Sequence, residues 1–164
     1  MLNSRHGQLS LVVIVGVALD QATKLWAETT LAGRGVVQVI DGYFDLRLSH
    51  NRGAFFSMGQ HLPEAVRAGL FIVASIVAVT VMVRMLGKTP YTQHAQRWAL
   101  MCLCTGAVGN MIDRARAGEV TDFLHLHLRE IFHWATFNVA DIFIAAGLLL
   151  LLLELFRSPK KPTS

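Results

Sequence analysis

The sequence is short of charged residues. Of its 164 residues, 16% are charged and 53% are hydrophobic, whereas soluble domains carry about 25% charged residues. A chain of this composition lacks the polar surface that water requires, so the sequence predicts an integral membrane protein. Its length allows a single domain, 1–164.

Other absences exclude several classes of function. The two cysteines, Cys102 and Cys104, are separated by a single leucine, which is too close for a Cys-x-x-Cys redox motif. The net charge is +4, but the basic residues are scattered and form no basic stripe interleaved with aromatics, which argues against nucleic-acid binding. Neither Gly-x-Ser-x-Gly nor His-Glu-x-x-His occurs, so neither of these hydrolase motifs is present.

Three histidines, His125, His127 and His133, raise the question of a metal site. Alternate residues of a strand face the same way, so His125 and His127 could act together. The sequence shows no carboxylate or cysteine ligand at a suitable spacing. The prediction is therefore no metal and no cofactor, with these histidines as interfacial polar residues on a strand.

Hydrophobic segments predict four membrane-spanning helices, since a span needs about 20 residues. The segments lie at about 8–27, 65–86, 97–113 and 137–156, separated on one side by longer loops at about 28–64 and 114–136. The short segments on the other side contain Lys and Arg but no Asp or Glu. Positive charge concentrated in short loops predicts that both termini are cytoplasmic.

The two longer loops each contain an alternating pattern. Phe44, Leu46 and Leu48 alternate with polar residues, and Leu124, Leu126 and Leu128 do the same against His125, His127 and Arg129. A period of two is typical of a half-buried strand. We therefore expect a small β-sheet on the outer face of the helices.

Polar residues gather at the outer ends of the predicted helices. Asp20 and Lys24 are four apart and can pair. On the third helix Asn110 and Arg114 share a face with Asp113. The glycines just before them, Gly106 and Gly109, allow a neighbouring helix to approach closely.

A carboxylate near the start of the fourth span needs an explanation, because a charge in lipid loses its hydration. Asp141 lies there, and Asp122 lies in the preceding loop on the same side of the membrane. Two carboxylates that share a site cannot both ionise readily, so one can take a proton from water while the other donates one. This is aspartic-peptidase chemistry. The alternatives are a structural ion pair of Asp141 with Arg114 or Lys24, or proton transport.

Five motifs, in order, resemble those of the lipoprotein signal peptidase (signal peptidase II) family. They are LDQATK (19–24), NRGAFFS (51–57), GAVGNMIDR (106–114), VTDF (120–123) and FNVAD (137–141). With the four predicted spans, the resemblance covers almost the whole chain. Two residues depart from the family pattern: Phe55 replaces the usual alanine, and Ile142 replaces a residue that is often small and polar.

The resemblance implies an all-α integral membrane protein with four transmembrane helices and a small periplasmic sheet, called the cradle, in the bacterial inner membrane. It implies an aspartic endopeptidase that cuts prolipoproteins just before a cysteine carrying a diacylglyceryl group. The family's catalytic aspartates fall on Asp122 and Asp141. Its supporting positions fall on Asp20, Lys24, Asn51, Gly53, Asn110, Arg114, Asn138 and Ala140.

On this interpretation the asparagines and Arg114 position the substrate backbone and stabilise oxyanion charge. The asparagines could instead be helix caps, interhelical bonds or, at Asn51, a turn residue. The expected partners are the diacylglyceryl-modified prolipoprotein and membrane lipid, with the enzyme as a monomer. Two rival functions remain: a proton-coupled transporter using the same carboxylates, and a non-enzymatic assembly factor that docks partners on the sheet.

Overall fold

A computed structural model describes residues 4–53 and 63–157 of the chain. Within these residues the chain forms four helices and one four-stranded sheet. In chain order the elements are α1 (Ser4–Leu31), β1 (Val37–Ile40), β2 (Phe44–Asn51), α2 (Glu64–Lys88), α3 (His94–Ala117), β3 (Val120–Leu128), β4 (Phe132–His133) and α4 (Val139–Arg157). The predicted spans at 8–27, 65–86 and 97–113 lie inside α1, α2 and α3, and α4 begins two residues after the fourth predicted start.

Two of the helices are long and apolar enough to cross a membrane. Among the described residues these are Ala65–Lys88 of α2 and Val139–Phe156 of α4, and few of their side chains are buried inside the protein. Large apolar side chains such as Leu70 and Val73 on α2 are exposed. Such a surface is costly in water and is favourable against lipid acyl chains.

The sheet is antiparallel and has the order β1-β2-β3-β4, which confirms the predicted small sheet. Strand β3 is an inner strand. It pairs with β2 along one side and, along the other, with β4 and with Phe137, which bonds to Leu124. Gly118, in the left-handed conformation with φ of 75°, ends α3 and turns the chain into β3.

The burial of β3 differs from the prediction. The alternation predicted a half-buried strand with the histidines as interfacial polar residues, but His125 is buried while Leu126 and Leu128 are exposed. The pattern correctly identified a strand. It does not determine which side is buried, because the apolar side of a membrane protein's sheet need not face the protein interior, and lipid-like surroundings can also accept leucine.

Small residues let the helices approach one another closely. A Cβ atom added at Gly106 would collide with the backbone carbonyl oxygen of Ala140 on α4, and one at Gly147 would lie 2.8 Å from the carbonyl oxygen of Ala99 on α3. Gly109 likewise faces Asp20 of α1. The close approach predicted for Gly106 and Gly109 is present, and α3 is the central helix that contacts both α1 and α4.

A small apolar core joins the end of α1 to the sheet. It consists of Ala27, Leu31 and Phe123, and Trp26 contacts the Phe123 ring edge-on with 6.1 Å between centroids. This core fixes β3 over the ends of the helices. Asp122, the residue before Phe123, is thereby held above the helix ends.

Candidate active site

Asp122 and Asp141 come from different elements and are linked by one residue, Asn138, that donates a hydrogen bond to each. Asp122 lies on β3 and is 2% exposed, while Asp141 lies in the first turn of α4. Asn138, immediately before α4, contacts both: its Nδ2 donates to Asp122 Oδ1 at 2.7 Å, and its backbone N–H donates to Asp141 Oδ2 at 3.2 Å. The two carboxylates therefore share one positioning residue.

The start of α4 explains why Asn138 and Asp141 are three residues apart. The Asp141 N–H donates to Asn138 Oδ1 at 3.0 Å, while Asp141 Oδ2 accepts from the Asn138 N–H. This reciprocal arrangement is a capping box, which satisfies N–H groups that a helix start leaves free. Asn138 is thus a helix cap, which was one of the alternatives considered from the sequence. It is also a hydrogen-bond donor to both carboxylates.

Asn110 on α3 completes the contacts of Asp141. Its Nδ2 donates to Asp141 Oδ1 at 2.8 Å, and its Oδ1 accepts from Asn138 Nδ2 at 3.1 Å. Both oxygens of Asp141 therefore accept a hydrogen bond from an asparagine. The amide donors of Asn110 and Asn138 point at the carboxylates, whereas the sequence had suggested that they point at a substrate.

Asn51 holds the second oxygen of Asp122. Its Nδ2 donates to Asp122 Oδ2 at 3.2 Å, and its Oδ1 accepts from the Gly53 N–H at 3.0 Å. The second bond is an Asx-type turn, so the predicted turn role of Asn51 and its contact with the site coexist. The motif residues 54–57, including Phe55, lie outside the described residues.

The carboxyl group of Asp122 is unusually basic. Burial raises its pKa, and the nearby charge of Asp141 raises it further, so that the pKa of Asp122 is about 7 despite the hydrogen bonds from Asn51 and Asn138. A carboxyl group with this pKa can hold or release a proton near neutral pH. Such a group is suited to acid–base chemistry.

A buried ion cluster supports the site from below. Lys24 Nζ lies 2.9 Å from Asp20 Oδ2 and 2.7 Å from Asp113 Oδ2, and it donates to Asn110 Oδ1 at 3.0 Å. The predicted pairing of Asp20 with Lys24 is confirmed. Lys24 contacts neither Asp122 nor Asp141 directly, and among the described residues no ion pair joins Asp141 to Arg114 or Lys24.

Sequence reasoning did not assign two members of this cluster to the site. Asp113 accepts from Gln21 Nε2 at 2.9 Å and from the Thr121 N–H at 3.3 Å, besides its contact with Lys24. Gln21 Nε2 also donates to Asp20 Oδ2 at 3.1 Å. Gln21 lies inside the motif LDQATK and Asp113 inside the motif GAVGNMIDR. Their positions within these motifs were the available signal, because residue type alone did not distinguish them.

Ala140 and Arg114 are joined to the same network. The Ala140 N–H donates to Asp20 Oδ1 at 2.8 Å, and the Ala140 side chain is fully buried against α3. Arg114 Nη1 donates to the Asn110 carbonyl oxygen at 3.4 Å, and its guanidinium lies over the Phe71 ring of α2, 5.3 Å from the centroid. The ten residues predicted for the site thus form one continuous set of hydrogen bonds and ion pairs.

An open pocket of about 430 Å³ lies beside Asp122. It is lined by Ser49, His50, Asn51, Arg52, Gly53, Asp122, Ala135 and Thr136. The wall comes from the end of β2 and from the segment before α4, so the sheet forms much of this pocket. Of the two carboxylates, Asp122 is among the lining residues and Asp141 is not.

Comparisons with known proteins agree on one family. The family model for signal peptidase (SPase) II matches residues 12–157. A lipoprotein signal peptidase of Solibacter usitatus is 40% identical over 144 residues, covering 88% of this chain and 87% of that protein. A lipoprotein signal peptidase of Geobacter sulfurreducens is 39% identical over 150 residues, covering 92% of each.

A solved structure has the same fold. It is described as a bacterial membrane enzyme structure obtained by the in meso method at 2.3 Å resolution, and it superposes with a TM-score of 0.82. The sequence identity is 27%, and the match covers 96% of this chain and 94% of that one. The fold described above is therefore that of a bacterial membrane enzyme.

Proposed function

The chain belongs to the signal peptidase II family, and we propose that Asp122 and Asp141 are the catalytic carboxylates of this protease. The family cleaves signal peptides from prolipoproteins. The observation that carries the proposal is the contact of Asn138 with both carboxylates, through its side chain to Asp122 and through its backbone to Asp141. A buried and a half-buried carboxylate joined in this way have the chemistry of an aspartic dyad.

The pair hydrolyses a peptide bond by sharing one proton. The ionised carboxylate accepts a proton from water, and the water oxygen attacks the scissile carbonyl carbon. The protonated carboxyl group donates its proton to the carbonyl oxygen, which gives a tetrahedral diol. The carboxyl group that took the water's proton then gives it to the leaving amine, and the other carboxylate takes a proton back from a diol hydroxyl, which restores the pair. The pKa of Asp122, raised to about 7 by burial and by the charge of Asp141, supports a pair that holds one proton at neutral pH.

The supporting residues divide into two groups in this proposal. Asn51, Asn110 and Asn138 orient the carboxylates, since each donates its side-chain amide to one of them. Arg114, whose charge interacts with both Asp122 and Asp141, stabilises the negative charge that develops on the carbonyl oxygen. Asp20 and Lys24 hold α1, α3 and α4 together beneath the pair.

The substrate is a prolipoprotein whose cysteine carries a diacylglyceryl group, cut just before that cysteine. Its acyl chains hold it in the outer leaflet, which places the scissile bond near the membrane surface, at the depth of the outer helix ends. The pocket beside Asp122, lined by Asn51 and Thr136, receives the extended peptide. The enzyme works as a monomer in contact with lipid.

In this proposal all four helices cross the bacterial inner membrane as parts of one domain, 1–164. On α1, the apolar side chains of Leu11, Ile14 and Val15 are exposed, which suits a lipid-facing helix. The termini are cytoplasmic, and the sheet and active site are periplasmic. This orientation agrees with the basic residues Lys88 and Arg97 at the helix ends remote from the sheet.

The rival interpretation as a proton-coupled transporter has no support from the comparisons, whose relatives are peptidases. A transporter would also need a polar path to the other membrane face. From Ile142 to Leu153 the fourth helix is entirely apolar, so α4 supplies none.

The test is cleavage of a purified, diacylglyceryl-modified prolipoprotein by Asp122→Asn and Asp141→Asn variants in detergent or lipid. We expect each to lower turnover by at least about a hundredfold, because each removes one partner of the acid–base pair. Asp41→Asn is the matched control, since Asp41 is exposed in the turn between β1 and β2. A folded Asp122→Asn or Asp141→Asn variant with turnover close to that of the control contradicts the assignment.

A further inference from the structure

A second cluster of chemically active side chains lies on the sheet, outside the candidate active site. Asp45 of β2 is directly opposite His125 of β3, and His127 lies two residues further along β3. One ligand atom from each of Asp45, His125 and His127 lies within 4.8 Å of the other two. The sequence missed this cluster because Asp45 is 80 positions from His125 and only strand pairing brings them together.

The polar atoms of this cluster are buried and poorly satisfied. His125 is 1% exposed, Asp45 is 6% exposed, and the His127 side chain is 9% exposed. Among the described residues, neither ring nitrogen of His125 makes a well-aligned hydrogen bond, although its Nδ1 lies 3.5 Å from Asp45 Oδ2, and Asp45 Oδ1 and His127 Nε2 also lack one. Buried polar atoms without partners are unfavourable, so a ligand that takes one atom from each of the three side chains would be favoured.

The contacts of His127 indicate what kind of ligand this is. His127 Nδ1 lies 3.3 Å from the Arg129 carbonyl oxygen, an acceptor to which Nδ1 can only donate. In the neutral ring Nε2 then carries a lone pair, and it lies 3.0 Å from Asp45 Oδ2 without hydrogen-bond alignment. Two lone pairs at this distance repel each other unless a positive charge sits between them. A ring held through Nδ1 by a carbonyl group is also the usual arrangement of a metal-binding histidine.

The distances suit a tetrahedral ion. Zinc binds imidazole nitrogen and carboxylate oxygen at about 2.0–2.2 Å, which places neighbouring tetrahedral ligand atoms about 3.4 Å apart. Asp45 Oδ2 is 3.0 Å from His127 Nε2 and 3.5 Å from His125 Nδ1. Two imidazoles and a carboxylate are borderline ligands that favour zinc over magnesium or calcium.

We propose that Asp45, His125 and His127 bind a zinc ion that clamps β2 to β3, with a water molecule as the fourth ligand. The exposed His133 flanks the site: its ring stacks on those of His125 and His127 at 5.5 and 5.4 Å between centroids. The role is structural, since Asp122 is three residues from His125 along β3, about 10 Å away. The proposal is independent of the catalytic assignment.

Arg47 bears on the strength of the site. Its charge lies close enough to influence His125, and it disfavours any cation nearby. Its Nε is directed to Thr136 Oγ1 at 3.3 Å. The negative charge of Asp45 offsets the positive charge of Arg47, so the two charges near the ion balance.

The experiment measures zinc content and affinity of tag-free protein, because a histidine tag would itself bind metal. Purified full-length protein is stripped with a chelator, titrated with zinc in detergent and analysed for bound metal. We expect about one zinc per chain, an affinity at least about tenfold weaker in His125→Ala, His127→Ala and Asp45→Asn, and no competition from magnesium. His94→Ala, at the remote start of α3, is the matched control and should bind as the wild type does.

A second measurement does not depend on the variants folding. Cobalt added to the wild-type protein in place of zinc should give the visible absorption of a tetrahedral ion, and zinc should abolish it. Zinc should also raise the unfolding temperature in a saturable way. The proposal is overturned if the wild type binds no stoichiometric zinc, in which case the three side chains form only a metal-free contact between β2 and β3. It is equally overturned if the three ligand variants bind zinc like His94→Ala.

Discussion

Asn138 and Asp141 are joined by two hydrogen bonds. The Asp141 N–H donates to Asn138 Oδ1 at 3.0 Å, and the Asn138 N–H donates to Asp141 Oδ2 at 3.2 Å. Since Asn138 Nδ2 also donates to Asp122 Oδ1, the residue that begins α4 also sets the relative position of the two carboxylates. Its structural and catalytic contributions can be separated by substitution.

We predict that Asn138→Ala and Asn138→Ser differ from each other in stability but lose activity to a similar extent. Serine can cap the helix, so Asn138→Ser should retain about 1 kcal/mol that alanine loses. Neither side chain can reach Asp122, so both variants should lower turnover by at least about tenfold. Thermal unfolding and prolipoprotein cleavage measure the two effects. Wild-type turnover in Asn138→Ser would show that the contact with Asp122 is not needed.

We predict that Asp122 makes the protein less stable as the pH rises. Because the pKa of Asp122 is about 7 in the folded protein and 3.8 for an unperturbed aspartate, the folded chain keeps a proton between about pH 4 and pH 7 that the unfolded chain releases. Stability from this group is therefore present below pH 4 and is lost as the pH rises to about 7, by a few kcal/mol at most.

The amide side chain introduced by Asp122→Asn cannot lose a proton, so this variant should not show the same loss of stability as the pH rises. When the pH is raised from 5 to 8, the unfolding temperature of the wild type should fall more than that of Asp122→Asn. Asp41→Asn, at an exposed acid, should follow the wild type. An equal fall in all three proteins would mean that Asp122 has an ordinary pKa.

We predict that adding a single methyl group at Gly106 would push α3 and α4 apart. The added Cβ would collide with the Ala140 carbonyl oxygen, which is backbone and cannot rotate away. Gly106→Ala should therefore lower the free energy of unfolding by about 1–3 kcal/mol and lower turnover, since Asp141 is next to Ala140. Gly87→Ala on α2 is the matched control because nothing lies within 4 Å of its new Cβ. It should be neutral or more stable by up to about 1 kcal/mol. Equal stability of the two variants would contradict the close packing.

We predict that Lys24→Met is strongly destabilising. It leaves Asp20 and Asp113 buried without their shared cation, at a cost of about 3–5 kcal/mol. Lys88→Met, at an exposed lysine, should leave the unfolding temperature nearly unchanged. If both variants unfold alike, the buried cluster does not support the site.

Hydropathy and spacing predicted much of this molecule. The apolar runs predicted the four helical segments, the alternation at Phe44–Leu48 and Leu124–Leu128 predicted strands, and the spacing of Asp20 and Lys24 predicted their ion pair. These features depend on residues close in sequence, whose relation is fixed by helix or strand geometry.

Features that depend on distant residues were harder to predict. Asp113 shares Lys24 with Asp20 across two helices, and its spacing from Asn110 on α3 does not reveal this partner. The buried face of β3 does not follow from its alternation, because leucine is stable both in a protein core and against lipid. Asp45 was missed because its position opposite His125 follows from the register of β2 against β3, which periodicity does not fix.

The inner position of β3 has a consequence for how Asp122 is placed. A slip of one residue along the strand would bring Thr121 or Phe123 to its position. Such a slip would have to break the ladder with β2 and, at the same time, the bonds of Phe123 and Leu124 to Phe137. Main-chain hydrogen bonds on both sides of β3 therefore fix which residue of the strand lies above the helix ends. Repacking of nearby side chains does not change that position.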